Sequence, residues 1–392
     1  MDARTHLSSF AEAAAAAVDS GALAGIIGTV TTPRETVFES AHGWRDHGRS
    51  LPMAADSVLA LASMTKAVTA VAVLQLVERG AVGLDDPLGA ILPYFAAPQV
   101  LDGFGADGAP HLRPARGTVT LRHLLTHSSG LANETWSADL VRYKQQTGAP
   151  TLATRTNASL EVPLLFDPGA RWQYSLGLEW TGKLIEALTG LTLGAYLTEH
   201  VTGPLGMADT QFGPLPRQQG RLAGVFQRED DGTLQPSDFA LLPGEFESGG
   251  GGLYGTAQDY LVFLRMLLNR GRHDGIEILR PGTIDLMETE QIPAIAVTRM
   301  VTAMPHRSND FEPSAGLKAG WNLGGVLLRE PSPNGRPAGS WGWGGLANCY
   351  FWVDGVNGLA GMVLSQVLPF GDGEVLRLFG ALERDAYGMS VG

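Results

Sequence analysis

Ser63-Met-Thr-Lys66 heads a run that continues to Arg79 and is closed by Gly80. The run is apolar almost all round, which predicts a helix over 63–79 that is buried on most sides and stopped by a glycine. Residues three apart share one face of a helix, so Ser63 and Lys66 can touch. A desolvated lysine amine can take a serine proton, and a helix N-terminus places N–H groups and positive dipole where an oxyanion forms. Taken alone, S-x-x-K is more commonly a serine N-cap followed by a solvated lysine.

Outward from this run, a helix is expected over Leu7–Val18, then a hairpin of Ile26–Thr31 and Glu35–Ser40 joined by Thr-Pro-Arg. The stretches 92–118 and 133–163 lack periodicity and read as long surface loops, with a short helix opened by Thr120 between them. Helices follow at Leu178–Leu188, Leu193–Val201 and from Thr256, with Asp259 where a capping-box acid would sit. Strands return at Asn322–Arg329, Tyr350–Val353 and Gly361–Val367, and a helix over Glu374–Tyr387 ends the series. The early hairpin and the late strands need one another to complete a sheet. The expected fold is therefore α+β: an antiparallel sheet from both chain ends, flanked by helices, with a mostly helical insertion. The expected division is 1–90 with 245–392 for the sheet domain and 91–244 for the helical one, with the active site between them.

The motif at Ser63 does not stand alone. Leu61-Ala-Ser-Met-Thr-Lys-Ala-Val-Thr69, Leu124-Leu-Thr-His-Ser-Ser-Gly-Leu131, Asp167-Pro-Gly-Ala-Arg-Trp-Gln-Tyr-Ser-Leu176, Pro204-Leu-Gly-Met207, Ser248-Gly-Gly-Gly-Gly-Leu253 and Trp343-Gly-Gly345 follow in order. Together they resemble the serine β-lactamase and D,D-peptidase superfamily, and within it the family VIII carboxylesterases and statin-type acyltransferases. The resemblance covers nearly the whole chain. It implies Ser63 as nucleophile, Lys66 as general-base lysine and Tyr174 as the tyrosine that relays protons to the leaving group. A phenol beside an ammonium can accept a proton and return it to an alkoxide. Which of Lys66 and Tyr174 is the formal base stays open, because a coupled pair titrates together.

Trp343-Gly344-Gly345 occupies the place of the family's Lys-Thr-Gly on an edge strand of the site. By the same resemblance, the backbone N–H groups of Ser63 and Leu346 form the oxyanion hole, and Trp343, Gly344, Gly345 and Leu176 contact substrate. The sequence departs from penicillin-binding relatives at two polar positions: the lysine of Lys-Thr-Gly is Trp343, and the asparagine of Y-x-N is Leu176. Apolar replacements favour neutral, short- to medium-chain esters over anionic β-lactams, so a carboxylesterase is expected. Transfer of the acyl group to an alcohol, weak β-lactamase or D,D-peptidase activity, and a non-catalytic binding protein on the same scaffold are the alternatives.

Composition narrows the rest. A net charge of −12 with no basic stripe argues against nucleic acid. The single cysteine, Cys349, lies in an apolar strand-like run and reads as core. The N-terminus has no signal-peptide pattern, and the longest apolar stretch, Ala67–Val77, is short of the roughly 20 residues a membrane span needs; a cytoplasmic protein is expected. The nine histidines show no H-E-x-x-H spacing, so neither metal nor cofactor is expected. His127 reads as a structural hydrogen-bonding residue. Gly250–Gly255 fits G-x-G-x-x-G in letters, but no apolar strand precedes it, so it reads as a loop beside the site.

Overall fold

The computed structural model describes residues 8–388. The framework elements, in chain order, are α1 (Ser8–Asp19), β1 (Gly25–Thr31), β2 (Thr36–Gly43), α2 (Thr65–Glu78), α3 (Gly177–Thr189) and α4 (Ala257–Leu268). Then come β3 (Ala319–Trp321), β4 (Val326–Leu328), β5 (Trp341–Gly345), β6 (Cys349–Asp354), β7 (Leu359–Ser365) and α5 (Gly373–Gly388). The expected start of α1 at Leu7 lies outside the described residues.

The seven strands form one antiparallel sheet in the order β3-β4-β5-β6-β7-β1-β2. The N-terminal hairpin joins the C-terminal strands along β1 and β7, with Ile26 opposite Ser365 and Thr31 opposite Ala360. Helices cover both faces, so neighbouring strand residues enter different cores. Ile26, Tyr350, Trp352 and Val363 pack with Phe10 of α1 and Leu378 and Leu382 of α5. Ile27, Phe351, Met362 and Leu364 pack with Tyr260 and Phe263 of α4 and with α2. This two-sided covering explains why β1, β6 and β7 are apolar without alternation and buried throughout. The fold is α+β, as the chain-end pattern implies.

Several expectations change. Asn322–Arg329 is not one strand: its first half is the turn that joins β3 to β4, and only Val326–Leu328 is strand; in that turn Asn322 Oδ1 accepts the N–H groups of Gly324 and Gly325 at 2.7 and 2.8 Å. The 92–118 stretch contains a hairpin, Gln99–Phe104 with Pro110–Pro114. The 133–163 stretch contains a ten-residue helix, Ala138–Thr147, capped by Ser137 and ended by left-handed Gly148. Leu193–Leu197 is α-helical and continues as a π-turn over Thr198–Thr202. At α4 only half the capping box forms. Thr256 accepts from the Asp259 N–H at 3.1 Å, while the Asp259 carboxylate accepts from the Asp209 N–H and the Thr210 hydroxyl. No helix among the described residues is long and apolar enough to cross a membrane.

The strand carrying Trp343-Gly-Gly is not an edge of the sheet, since it lies third in order. Its pairing to β4 is nevertheless confined to Trp341 and Gly342, while the β6 side is paired through Gly345. Trp343–Gly345 therefore keep one open edge although the strand as a whole is interior.

Candidate active site

From Ser57 to Leu76 every residue is buried except Ser63. The chain enters α2 through a 3-10 turn, Ala62–Met64, so Ser63 sits in that turn and Lys66 at the second position of the α-helix. Ala62 adopts a left-handed backbone, φ 46°, a conformation costing roughly 1–3 kcal/mol for a residue with a side chain. This bend turns the Ser63 side chain outward while the helix behind it stays locked in the core.

Three polar atoms converge there. Lys66 Nζ donates to Ser63 Oγ at 3.1 Å and to the Gly250 carbonyl at 2.5 Å. The Tyr174 hydroxyl lies 2.9 Å from Ser63 Oγ, and Lys66 Nζ stands 4.8 Å from the centre of the Tyr174 ring. The serine oxygen is thus bridged by an amine and a phenol, a geometry suited to moving its proton. Lys66 is 7% exposed, so its head group is held by these partners rather than by bulk water.

β5 brings in the remaining elements. A Cβ placed on Gly345 would stand 2.2 Å from the Leu61 carbonyl, so only glycine lets β5 lie this close to the chain entering α2. Leu346 follows directly, and its N–H meets no protein acceptor among the described residues. Trp343 is 6% exposed, and its indole N–H donates to the Tyr174 oxygen at 3.1 Å. The side chain expected against substrate therefore spends its one donor on the phenol. Gly344 faces the Tyr350 ring. Leu176 joins the core at the N-cap of α3 and does not line the cavity beside Tyr174.

That cavity, about 480 Å³, opens between Trp136, Arg171, Trp172, Tyr174, Ile295 and Met300. Trp136 packs edge-on to Tyr174 at 5.1 Å. Behind the phenol lies His127, with ring centres 4.6 Å apart. Its Nδ1 accepts the Ser175 N–H at 3.2 Å and lies 3.0 Å from the Ser175 hydroxyl, which assigns the remaining proton to Nε2. Burial, and secondarily the charge of Lys66, holds this imidazole well below its ordinary range, so it is neutral. His127 also has a left-handed backbone, φ 57°.

Sequence reading missed three neighbours, Trp136, Trp321 and Glu179, and gave Ser248 no role beyond opening the block Ser248–Leu253. Trp321 packs on His127 at 4.9 Å and donates to the Leu125 carbonyl. Burial pushes the Cys349 thiol up to about 12, in keeping with a core cysteine. Among the described residues, no group of three or more His, Cys, Asp or Glu is arranged to hold a metal.

Set beside known proteins, residues 10–384 match the family model described as beta-lactamase. The chain belongs to the β-lactamase family. Within this family the chain is 34% identical over 349 residues to an acyltransferase, calJ, of Penicillium decumbens, covering 85% of this chain and 81% of the relative. It is 32% identical over 385 residues to a lovastatin esterase of Penicillium rubens, covering 92% and 93%. The unliganded simvastatin synthase LovD of Aspergillus terreus superposes with a TM-score of 0.86 at 31% identity, covering 98% of each chain. EstCE1, described as a hydrolase with promiscuous acyltransferase activity, shares the fold at a TM-score of 0.76 and 22% identity, covering 98% and 99%.

Proposed function

We propose that this β-lactamase-family chain cleaves neutral, short- to medium-chain carboxylic esters through an acyl-enzyme on Ser63. The observation that carries the proposal is the placement of Ser63 Oγ between Lys66 Nζ at 3.1 Å and the Tyr174 hydroxyl at 2.9 Å. Ser63 attacks the ester carbonyl while its proton passes into the Lys66–Tyr174 pair. The carbonyl oxygen, now an oxyanion, rests on the N–H groups of Ser63 and Leu346. Tyr174 then delivers a proton to the departing alcohol, and water repeats the sequence on the acyl-enzyme. The indole N–H of Trp343 aids the phenol, because a donor aimed at its oxygen stabilises the charge that grows when the proton leaves. This reading keeps the expected division of the sequence, 1–90 with 245–392 against 91–244, with the cleft between them.

The second reading is transfer of the acyl group to an alcohol, with a small-molecule acceptor seated in the cavity beside Tyr174. The names of the acyltransferase and esterase relatives support acyl chemistry of both outcomes. Arg171 and the tryptophans of that cavity suit a large acceptor with apolar rings and a polar edge.

The test combines labelling with partition. A fluorophosphonate is expected to form one adduct on Ser63, and p-nitrophenyl esters are expected to be cleaved by the wild type and not by Ser63→Ala. A chromogenic cephalosporin is expected to turn over far more slowly. Absence of the adduct would leave a binding protein on an inert scaffold. Adding an alcohol acceptor decides between the two readings: a new ester outrunning free acid assigns the transferase.

A further inference from the structure

β5 has two faces, and only one belongs to Ser63. Trp343 turns toward Tyr174, so Gly342 and Gly344 on either side of it turn toward α5, where a Cβ on Gly344 would stand 2.6 Å from the Tyr350 ring. On that face lies a second cavity of about 340 Å³, at the lower end of the size range of small-molecule sites. Its walls are the rings of Phe311, Tyr350 and Phe379, with Val326 of β4 and Leu376 of α5. Tyr350 gives this space only its ring, since its hydroxyl is spent on Asn348 Oδ1 at 2.7 Å.

One end of the cavity is polar. Glu383 of α5 is 3% exposed, and its Oε2 accepts the Asn334 amide at 2.9 Å. Its Oε1 lies 2.9 Å from Arg336 Nε, close enough for an ion pair, yet the N–H is not aimed along that line and neither atom makes a hydrogen bond among the described residues. The carboxylate therefore balances the charge of the guanidinium without using its donors, and the terminal nitrogens of Arg336 likewise meet no protein acceptor among the described residues. Two more acids mark the rim. Asp310 is held by Arg299 at 2.9 Å, while exposed Glu312 accepts the Ser314 hydroxyl at 3.2 Å.

These surroundings select a ligand. A bare hydrocarbon would leave the Arg336 donors unused. A carboxylate would enter a site whose cation is already matched by Glu383 and whose rim is acidic, so it would lose its hydration for little return. A neutral carbonyl oxygen accepts from the guanidinium without that loss, and a carboxamide supplies one. We propose that the cavity behind β5 is a second small-molecule site, separate from the Ser63 cleft, that takes a neutral carboxamide carrying an aromatic ring or a short alkyl body. The apolar body lies among Phe311, Tyr350 and Phe379, and the carbonyl oxygen on Arg336. Trp343 also lines this cavity, so an occupant reaches the residue that bonds Tyr174.

The probes are benzamide and benzoate, followed by saturation-transfer NMR titration against the wild type, Leu376→Trp and Glu383→Gln. Benzamide is expected to bind the wild type with a dissociation constant of about 1 mM, the level a single-ring ligand reaches, and benzoate about tenfold more weakly. Leu376→Trp, which puts an indole into the cavity from a half-buried position on α5, is expected to abolish benzamide binding while its circular dichroism stays that of the wild type. Glu383→Gln leaves Arg336 without its matching charge and is expected to reverse the preference, with benzoate ahead of benzamide. Should the glutamine variant not accumulate as folded protein, the two probes on the wild type still test the ligand class and Leu376→Trp the site. Benzamide binding that survives Leu376→Trp places the probe elsewhere and overturns the site, as does the absence of saturable binding to the wild type. Benzoate bound as tightly as benzamide by the wild type, or an unchanged preference in folded Glu383→Gln, overturns the ligand class. None of these readouts requires ester cleavage, so failure of the acyl-enzyme proposal is told apart from failure of this one.

Discussion

The Tyr174 oxygen touches the Ser63 hydroxyl and receives the Trp343 indole N–H. Trp343→Phe keeps an aromatic ring and deletes that donor; a hydrogen bond to a charged group contributes about 1.5–3 kcal/mol. Ester turnover is therefore expected to fall about tenfold or more in kcat with KM nearly unchanged, whereas a ring that served substrate binding would raise KM. His127 makes a different demand. Its pKa is depressed in the folded chain, so the unfolded chain binds the proton first as pH falls. The stability this histidine supplies is complete above pH 6.5 and is lost below it, by about 1.4 kcal/mol at pH 5.5. His127→Asn, which offers an acceptor near the Nδ1 position and tolerates the left-handed backbone, is expected to shrink the drop in unfolding free energy between pH 7.5 and 5.5 by that amount in urea melts. At this scale the sequence was most legible where chemistry fixes residue type, as at Ser63, Lys66 and Tyr174, whose side chains the fold brings together. It was least legible for Trp343 and Glu179, because nothing in a strand's or helix's spacing says which neighbour an indole or a carboxylate will meet.

Among the elements, α2 was legible because a helix apolar on every side can only be buried. The helix Ala138–Thr147 was not, since its exposed face is polar and its apolar positions are few, although Ser137 and Gly148 are ordinary end signals. What secures that helix is an ion pair sealed from solvent. Lys144 Nζ bonds Glu134 and donates to the Ser159 carbonyl at 3.0 Å, and the same Glu134 oxygen accepts the Leu152 N–H at 2.8 Å. The pair has side-chain exposures of 3% and 8%. Lys144→Ala strands Glu134 without its cation and is expected to cost about 3–5 kcal/mol in chemical denaturation. The double variant with Glu134→Gln should recover part of that loss. The turn that replaces the first half of the expected strand 322–329 has a similarly local cause, an asparagine side chain taking over two backbone donors.

At the level of the whole molecule, the antiparallel sheet could be read from the sequence because hairpin-like runs lay at one end and unpaired strands at the other. The interior place of β5 could not, since strand order depends on pairings with no signature in composition. Strain and support are distributed across this assembly. The turn after β5 holds Asn348 at φ 59°, fixed by donation to the Val367 and Pro369 carbonyls and by acceptance from Gly371, Asp372 and Tyr350. The last part of the chain thereby sets the strand that lies against Ser63. α1 is likewise clasped to α5, with the Phe10 N–H on the Asp385 carboxylate at 2.8 Å. The pairing of β1 with β7 joins the earliest-made strand to one of the latest. On the ribosome, then, Ser63 is made long before Leu346, and under the proposed acyl-enzyme mechanism a nascent chain halted ahead of residue 346 is expected to carry Ser63 without reactivity. Covalent capture of that serine acts as a timestamp for the moment the two ends of the chain meet.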